Sequence, residues 1–285
     1  MFVIFEPSVR PDNWARRLYQ PITDPMQIPV ARKHIKRLEG SGSKAQLILF
    51  DDEREYVVKF KGNLQGPRVL ANELVASRLA ILLGIPVVDF EIVRVPQPFI
   101  DFEPDMAKYP FVGGLQFGSL YYDTAFANPT KSMMEKVGTP LLFSSIIVFD
   151  HLINNWDRAS HGDNILFIRD APGRLLTIDH GHAFQGPEWT VDLLKKSALP
   201  IQPLFGFFYR VLADLIIGDA FSEPLERIEN LQREQLEALM EGIPLEWGIY
   251  EEEQDAMIDF LMVRKDFVRM AITELKVKGL FPKSL

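Results

Sequence analysis

Residues 150–182 read DHLINNWDRASHGDNILFIRDAPGRLLTIDHGH. The stretch carries four of the five histidines of the chain, at 151, 161, 180 and 182, together with eight Asp and Asn side chains. Between them lie two short apolar runs, 165–168 and 175–178, each of strand length. Asp157-Arg158 follows a run over 138–153 that is apolar nearly all round, which predicts a deeply buried helix. Asn164 comes seven positions after Asp157, just before the first strand, and Asp179-His180-Gly181 closes the second. Polar groups gathered at the ends of short strands suit a reactive loop on a rigid scaffold. Three readings fit: a phosphoryl-transfer site, a different metal site, or a polar turn satisfied by its own hydrogen bonds.

The 285 residues suit one large domain or two closely packed lobes. A hydrophobic share of 47% with 25% charged leaves ample material for a core and no disordered composition. The absence of cysteine excludes disulfides, thiolate zinc sites and Cys nucleophiles. A net charge of −8 argues against a nucleic-acid partner. The local exception, Arg32, Lys33, Lys36 and Arg37, reads as a solvated basic face or a positive rim favouring a polyanionic nucleotide. The first ten residues lack the apolar length and charged lead-in of a secretory signal, and the runs at 141–149 and 204–217 are too short to span a bilayer. A soluble cytoplasmic protein with no membrane partner is therefore expected.

Upstream, 2–5 suggests a short strand and 12–19 a short helix. QLILF at 46–50 and YVVKF at 56–60 form a hairpin across a polar connection. Gly40-Ser41-Gly42-Ser43 precedes it, and such a loop lets backbone N–H groups approach phosphates, because Gly carries no Cβ. It lacks the Gly-Lys-Ser/Thr ending of a Walker loop, and a flexible turn is the plain alternative. Lys59 shares a strand face with Val57 and Lys61, opposite Val58 and Phe60. Pro67 to Gly84 follows the Pro-first, Gly-last pattern of a helix, with Leu70, Leu74, Leu79 and Leu82 burying a face. Glu73 falls on the inward side, where an unpaired carboxylate is costly, so Lys59 is its expected partner. Residues 87–96 read as another strand, and 97–136 stay irregular and fit a lobe boundary. The segments 203–217, 224–240 and 251–277 read as three helices, the Met and Phe positions of the last being core. A strand-rich first third and a helix-rich remainder make an α+β chain.

Moving a phosphoryl group from ATP asks a protein to hold the triphosphate, neutralise it through Mg²⁺ and orient an acceptor hydroxyl. Mg²⁺ takes hard oxygen ligands, usually one or two from the protein. Asn164 and Asp179, on two converging loops, can supply them. Asp157 is placed to face the acceptor, and Lys59 held by Glu73 would reach the α- and β-phosphates from the other side of a cleft.

From about residue 35 onward the sequence resembles the HipA-like kinases. The matching pieces are the Gly-Ser loop at 40–43, YVVKF at 56–60, GPRVLANELVASRLAILLGIPV at 66–87, FDHLINNWDR at 149–158, GDNILF at 162–167 and LLTIDHGHAF at 175–184. GIPLEWG at 242–248 and MIDFLMVRKDFV at 257–268 resemble the family's closing pattern. The resemblance implies a two-lobed protein-kinase-like fold, distantly similar to phosphatidylinositol kinases. A small antiparallel-sheet lobe with one helix would occupy 1–98 and a larger, mainly helical lobe 99–285. It implies Lys59 as the ATP-binding lysine, Glu73 as its helix partner, and Gly40, Ser41, Gly42 and Ser43 as the nucleotide loop. Asp157 would be the catalytic aspartate and Asn164 with Asp179 the metal pair, with ATP and Mg²⁺ as cofactors. The seven-residue separation of Asp157 and Asn164, against five in common protein kinases, goes with this branch. Asp-His-Gly replaces Asp-Phe-Gly, so a switch built on that Phe need not apply. Founding members phosphorylate proteins in bacterial toxin–antitoxin systems. Transfer to a protein Ser/Thr is therefore the first expectation, with a small-molecule hydroxyl as the other acceptor class and a toxin–antitoxin-type protein as a partner. The chain is expected to begin near the kinase core.

Two other functions compete. The four histidines with Asp150, Asp157, Asp163 and Asp179 could form the transition-metal centre of a hydrolase, although no His-Glu-x-x-His motif is present. A catalytically inactive pseudokinase that binds nucleotide or a partner is the second, although every catalytic position is filled.

Overall fold

A computed structural model describes residues 28–169 and 173–284. The strand expected at 2–5 and the helix at 12–19 lie outside the described residues. Strands β1 (Ala31–Arg37), β2 (Gln46–Phe50), β3 (Glu55–Lys61), β4 (Phe90–Val95) and β5 (Val112–Leu120) form one antiparallel sheet in the order β1-β2-β3-β5-β4. Helix α1 (Val69–Leu82) lies between β3 and β4 in the chain. At one corner the sheet's edges meet: Val30 bridges to Arg94, and Arg94 N donates to Pro29 O at 2.8 Å.

Alternation along β3 assigns its side chains. Tyr56, Val58 and Phe60 join Ile48, Phe50, Val93 and Val95 in an apolar layer. That layer is covered by α2 (Gln97–Phe102) and α3 (Pro104–Ala107), which contribute Ile100 and Met106, with Phe111 beyond them. Lys59 takes the opposite face, toward α1, as the alternation requires. The stretch 97–136, expected to be irregular, thus holds these two short helices, β5, a three-residue strand at Ala125–Ala127 and the start of the helix Lys131–Val137. Strand β5 lies beyond residue 98 yet is inserted between β3 and β4 of the same sheet. Pairing between β3 and β5 shifts register between Lys59 and Lys61. Buried Gln116 repairs the gap, accepting from Lys61 N at 2.8 Å and donating to Val112 O at 2.7 Å.

Helix α1 starts two residues after Pro67 and ends before Gly84, which turns the chain at φ +72°. One buried face was expected; instead every residue from 69 to 80 is buried. The sheet covers one side of the helix and the remaining helices the other, so its polar members Asn72, Glu73, Ser77 and Arg78 are buried too.

The rest is mainly helical. It comprises α4 (Lys131–Val137), α5 (Pro140–Ile153), α6 (Trp156–Ser160), α7 (Val191–Ser197), α8 (Phe207–Ala213), α9 (Ser222–Glu229), α10 (Arg233–Met240), α11 (Glu251–Lys265) and α12 (Val268–Val277). A small antiparallel sheet of β6 (Ala125–Ala127), β7 (Ile165–Ile168) and β8 (Arg174–Thr177) runs through it. The three long helices expected are shorter or divided. The segment 224–240 breaks at Asn230–Leu231, where Gln232 begins α10 with a capping box to Gln235. The segment 251–277 turns at Asp266–Phe267, with Phe267 N donating to Arg264 O at 2.9 Å.

Two joints fix one half on the other. Thr177 N donates to Pro86 O at 2.8 Å and Val88 N to Thr177 O at 3.2 Å, a parallel bridge between β8 and the segment leading to β4. From the 242–248 segment, Glu246 pairs with Lys61 and accepts from Leu115 N at 3.0 Å, while Trp247 Nε1 donates to Leu115 O at 2.8 Å. Among the described residues, no single helix is long and apolar enough to cross a membrane.

Candidate active site

Lys59 meets two carboxylates, one from each half. Its Nζ donates to Glu73 Oε1 at 2.5 Å and to Asp179 Oδ1 at 2.7 Å. The Glu73 side chain is 3% exposed and that of Asp179 37%, so one end of the cluster is sealed and the other open. Burial alone would lower the Lys59 pKa, but the charges of Asp179 and Glu73 outweigh it and hold the ammonium well above its usual value. Burial would raise that of Glu73, yet the Lys59 charge, with His180 beside it, holds the carboxylate well below the ordinary range. Gly181 lets the chain pass close by: a Cβ there would lie 3.3 Å from Glu73 Oε1 and 3.5 Å from both Asp179 Oδ1 and Lys59 Nζ. Asp179 itself has φ +55°, a left-handed conformation that Asp tolerates better than most residues.

The neighbouring loop is built by α5 and α6. Thr139 caps the start of α5, accepting from Leu142 N, and Asn154 ends it at φ +56°. The chain then enters α6, which carries Asp157 in its first turn. Arg158 is fully buried, pairs with Asp150 and donates to Ile178 O at 2.9 Å, tying α5, α6 and the residue before Asp179 together. Tyr209 donates to the second Asp150 oxygen at 2.5 Å. Burial raises the Asp150 pKa to about 6 against the opposing Arg158 charge. Asn164 Nδ2 donates to Asp157 Oδ2 at 2.8 Å, and Asn164 O accepts from Ile178 N at 3.1 Å. Asp157 and Asn164 are thus linked through their side chains, and Asn164 through its backbone to the residue before Asp179.

The Gly-Ser loop forms the turn between β1 and β2. Its two hydroxyls, Ser41 and Ser43, lie 3.0 Å apart, and Ser41 Oγ accepts from Ala45 N at 3.2 Å. Gly42 packs against Gln65, where a Cβ would come within 2.8 Å of Gln65 Nε2. That nitrogen is 3.2 Å from His182 Nε2, so the turn is joined through Gln65 to the segment after Asp179. Two of the four basic residues of β1 are paired: Arg32 with Glu53, and Arg37 with Glu39 and Tyr109.

The histidines do not converge. His151 Nδ1 donates to Ile147 O at 2.7 Å and its Nε2 accepts from Leu204 N at 2.8 Å, while burial pushes its pKa down to about 4. His180 is buried edge-on to Phe149. His182 lies against Trp156, and His161 against Asp157. Burial opposes protonation of His161, but the Asp157 carbonyl and the Asp157 and Asp163 charges raise its pKa on balance. Among the described residues no group of three or more His, Cys, Asp or Glu side chains is arranged to hold a metal ion, so the hydrolase centre expected as an alternative is not assembled.

Two residues, Asn72 and Arg264, escaped the sequence reading, and a third, His161, figures there only as a candidate metal ligand. Asn72 donates to Gly181 O, Ala183 O and Gly186 O at 2.9–3.2 Å and accepts from Trp189 Nε1 at 2.8 Å, anchoring the segment after Asp179. Arg264, 1% exposed, donates to the carbonyls of His151 and Leu152 at the end of α5. His161 bonds to Asp157. Only His161 left a local sign, four positions after Asp157.

A model of the HipA-like kinase family matches residues 33–275. No curated protein matches the sequence. Among solved structures, the proinflammatory kinase CtkA of Helicobacter pylori is 15% identical, with 84% of this chain and 95% of that chain covered at a TM-score of 0.52. That likeness shows a kinase-like fold. A Golgi casein kinase with Mn/ADP bound is 15% identical over 94% of this chain and 77% of that chain, TM-score 0.46. The HipA of a Shewanella oneidensis MR-1 toxin–antitoxin complex with HipB and operator DNA is 16% identical over 98% and 72%, TM-score 0.31.

Proposed function

The chain belongs to the HipA-like kinase family, and on that premise we propose that it is an ATP- and Mg²⁺-dependent phosphotransferase acting on a hydroxyl, first among them a protein Ser/Thr. The observation that carries the proposal is Lys59 joining Glu73 on α1 to Asp179 across the cleft. In this reading the smaller lobe runs to the end of β5 rather than to residue 98, and the nucleotide lies between the lobes.

The donor set suits a hard divalent cation. Asp179 offers a partly exposed carboxylate, and Asn164, oriented through its amide by Asp157, offers a carbonyl oxygen, the one or two protein oxygens that Mg²⁺ takes. Asn164 and Asp179 would hold the cation, which supplies charge neutralisation on the phosphates. Lys59, fixed by Glu73, would neutralise the α- and β-phosphates, and the turn at Gly40, Ser41, Gly42 and Ser43 would offer them its backbone N–H groups. Asp157 orients the acceptor and takes its proton as the acceptor oxygen bonds to the γ-phosphorus and the bond to ADP breaks. A toxin–antitoxin-type partner and a cytoplasmic location rest on the family and on composition alone.

The test is incubation with γ-labelled ATP and Mg²⁺, reading self-phosphorylation by mass spectrometry and then labelled products in a cell lysate. Asp157→Ala should abolish transfer and keep ATP binding. Transfer at the wild-type rate in that variant would remove Asp157 from its role; a wild-type chain that binds ATP without transfer would make it a pseudokinase.

A further inference from the structure

Resting on that phosphotransfer reading, a second residue acts on Asp157. A carboxylate on a short helix can rotate about its side-chain torsions, and a base must face its proton donor within about 3 Å. Each oxygen of Asp157 has a polar neighbour from the loop. Oδ2 accepts from Asn164 Nδ2 at 2.8 Å, and Oδ1 lies 2.9 Å from His161 Nδ1. The same nitrogen is 3.0 Å from the Asp157 carbonyl. Both of those oxygens are acceptors, so Nδ1 carries the proton and donates. Each carboxylate oxygen keeps a further lone pair, so holding it does not block proton transfer.

The seven-residue separation provides this arrangement. One helical turn carries the chain from Asp157 to His161, whose backbone N donates to Asp157 O at 3.1 Å. A 3-10 turn over Gly162–Asn164 then brings Asn164 back to the same carboxylate. Gly162 is needed where the chain passes, since a Cβ there would sit 2.5 Å from Asn128 Oδ1 and 2.7 Å from the Phe208 ring. We infer that His161 is a positioning residue for the transfer: its Nδ1, whose N–H bonds to the Asp157 carbonyl, lies 2.9 Å from Oδ1 and attracts that oxygen, so that the two loop segments flank the carboxylate on both sides. The competing account is a His that merely caps the last turn of α6. A cap would act on stability and leave turnover alone.

Three substitutions separate the accounts. In His161→Asn the carboxamide nitrogen takes the place of Nδ1; in His161→Gln it falls nearer Nε2; His161→Ala has no donor. Self-phosphorylation and phosphate release are measured with γ-labelled ATP and Mg²⁺, alongside ATP affinity by calorimetry and melting temperature. The imidazole is 56% exposed, so the expected loss is moderate. Turnover should fall about tenfold in the Ala and Gln variants, with ATP affinity and melting temperature kept and most of the rate recovered in the Asn variant. Full turnover in His161→Ala, equal loss in all three variants, or a loss that follows melting temperature would overturn the inference. A wild-type chain that transfers no phosphate would instead sink the phosphotransfer reading, and this one with it.

Discussion

Lys59→Met should destabilise the chain more than Glu73→Gln, although the two side chains form one pair. Removing one member of a buried ion pair costs about 3–5 kcal/mol, because the charge left behind is uncompensated. With Lys59 gone, Glu73 stays 3% exposed and keeps only the His180 N–H, at 3.0 Å. Asp179, more than a third exposed, can hydrate and adds little. Protonating Glu73 limits the damage: holding a carboxyl neutral at pH 7 costs about 1.4 kcal/mol per unit above an ordinary pKa near 4.3, which comes to roughly 4 kcal/mol. The expected loss for Lys59→Met is therefore about 3 kcal/mol at pH 7. In Glu73→Gln, Lys59 keeps Asp179 at 2.7 Å and the carboxamide still accepts a hydrogen bond, so the loss is about 1–2 kcal/mol. The pH dependence has a definite sign. The folded-state pKa of Glu73 is depressed, so its contribution is complete above the unfolded value and lost as pH falls through the folded one. That of Lys59 is raised, so its share is complete below about pH 10.4 and lost only above it. Urea unfolding followed by tryptophan fluorescence reads the midpoints. The gap between wild type and Lys59→Met should narrow from pH 7 to pH 5 with unchanged slope. A Glu73→Gln variant as unstable as Lys59→Met, or a gap that widens on acidification, would refute the account of the cluster.

Other outcomes follow from single contacts. Asp179→Ala removes both the second partner of Lys59 and a proposed cation ligand, so Mg-ATP affinity should drop at least about tenfold by calorimetry; unchanged affinity would speak against its role. His180 is 1% exposed, and neither ring nitrogen has a hydrogen-bond partner among the described residues, Nδ1 lying 3.7 Å from Glu73 Oε2. His180→Phe, packed against Phe149, should gain about 1 kcal/mol, and a lower melting temperature than wild type would count against it. Arg264→Met leaves the last carbonyls of α5 without their donor and should cost about 2–3 kcal/mol in urea unfolding, where a neutral result would show that they find another partner.

What could be read in advance follows the range of the interaction. The 150–182 stretch declared its strands because apolar runs end in polar loops, and the Lys59–Glu73 pair was legible because a buried carboxylate needs a cation. Strand β5, VGGLQFGSL, was not, since its glycines and polar residues lack the usual strand preference. It is held instead by partners on both edges and by Gln116, whose bonds appear only once the register shift is known. Asn72 and Arg264 were equally silent: each satisfies backbone carbonyls more than a hundred positions away.

The burial of α1 has a consequence for control. Exposing Leu70, Leu74, Val75 and Leu79 alone would cost roughly 6–12 kcal/mol at about 1.5–3 kcal/mol each, as much as the whole stability of an ordinary domain. Arg78 adds bonds to Leu239 O and Glu241 O, and Arg227 one to Leu83 O, at 2.6–2.7 Å. Such a helix is a keystone and cannot swing as a lever. Glu73 is therefore expected to keep its seat beside Lys59 when the proposed nucleotide binds, and an on–off signal to act at the exposed end of the cluster, through Asp179 or the loop that carries Asp157.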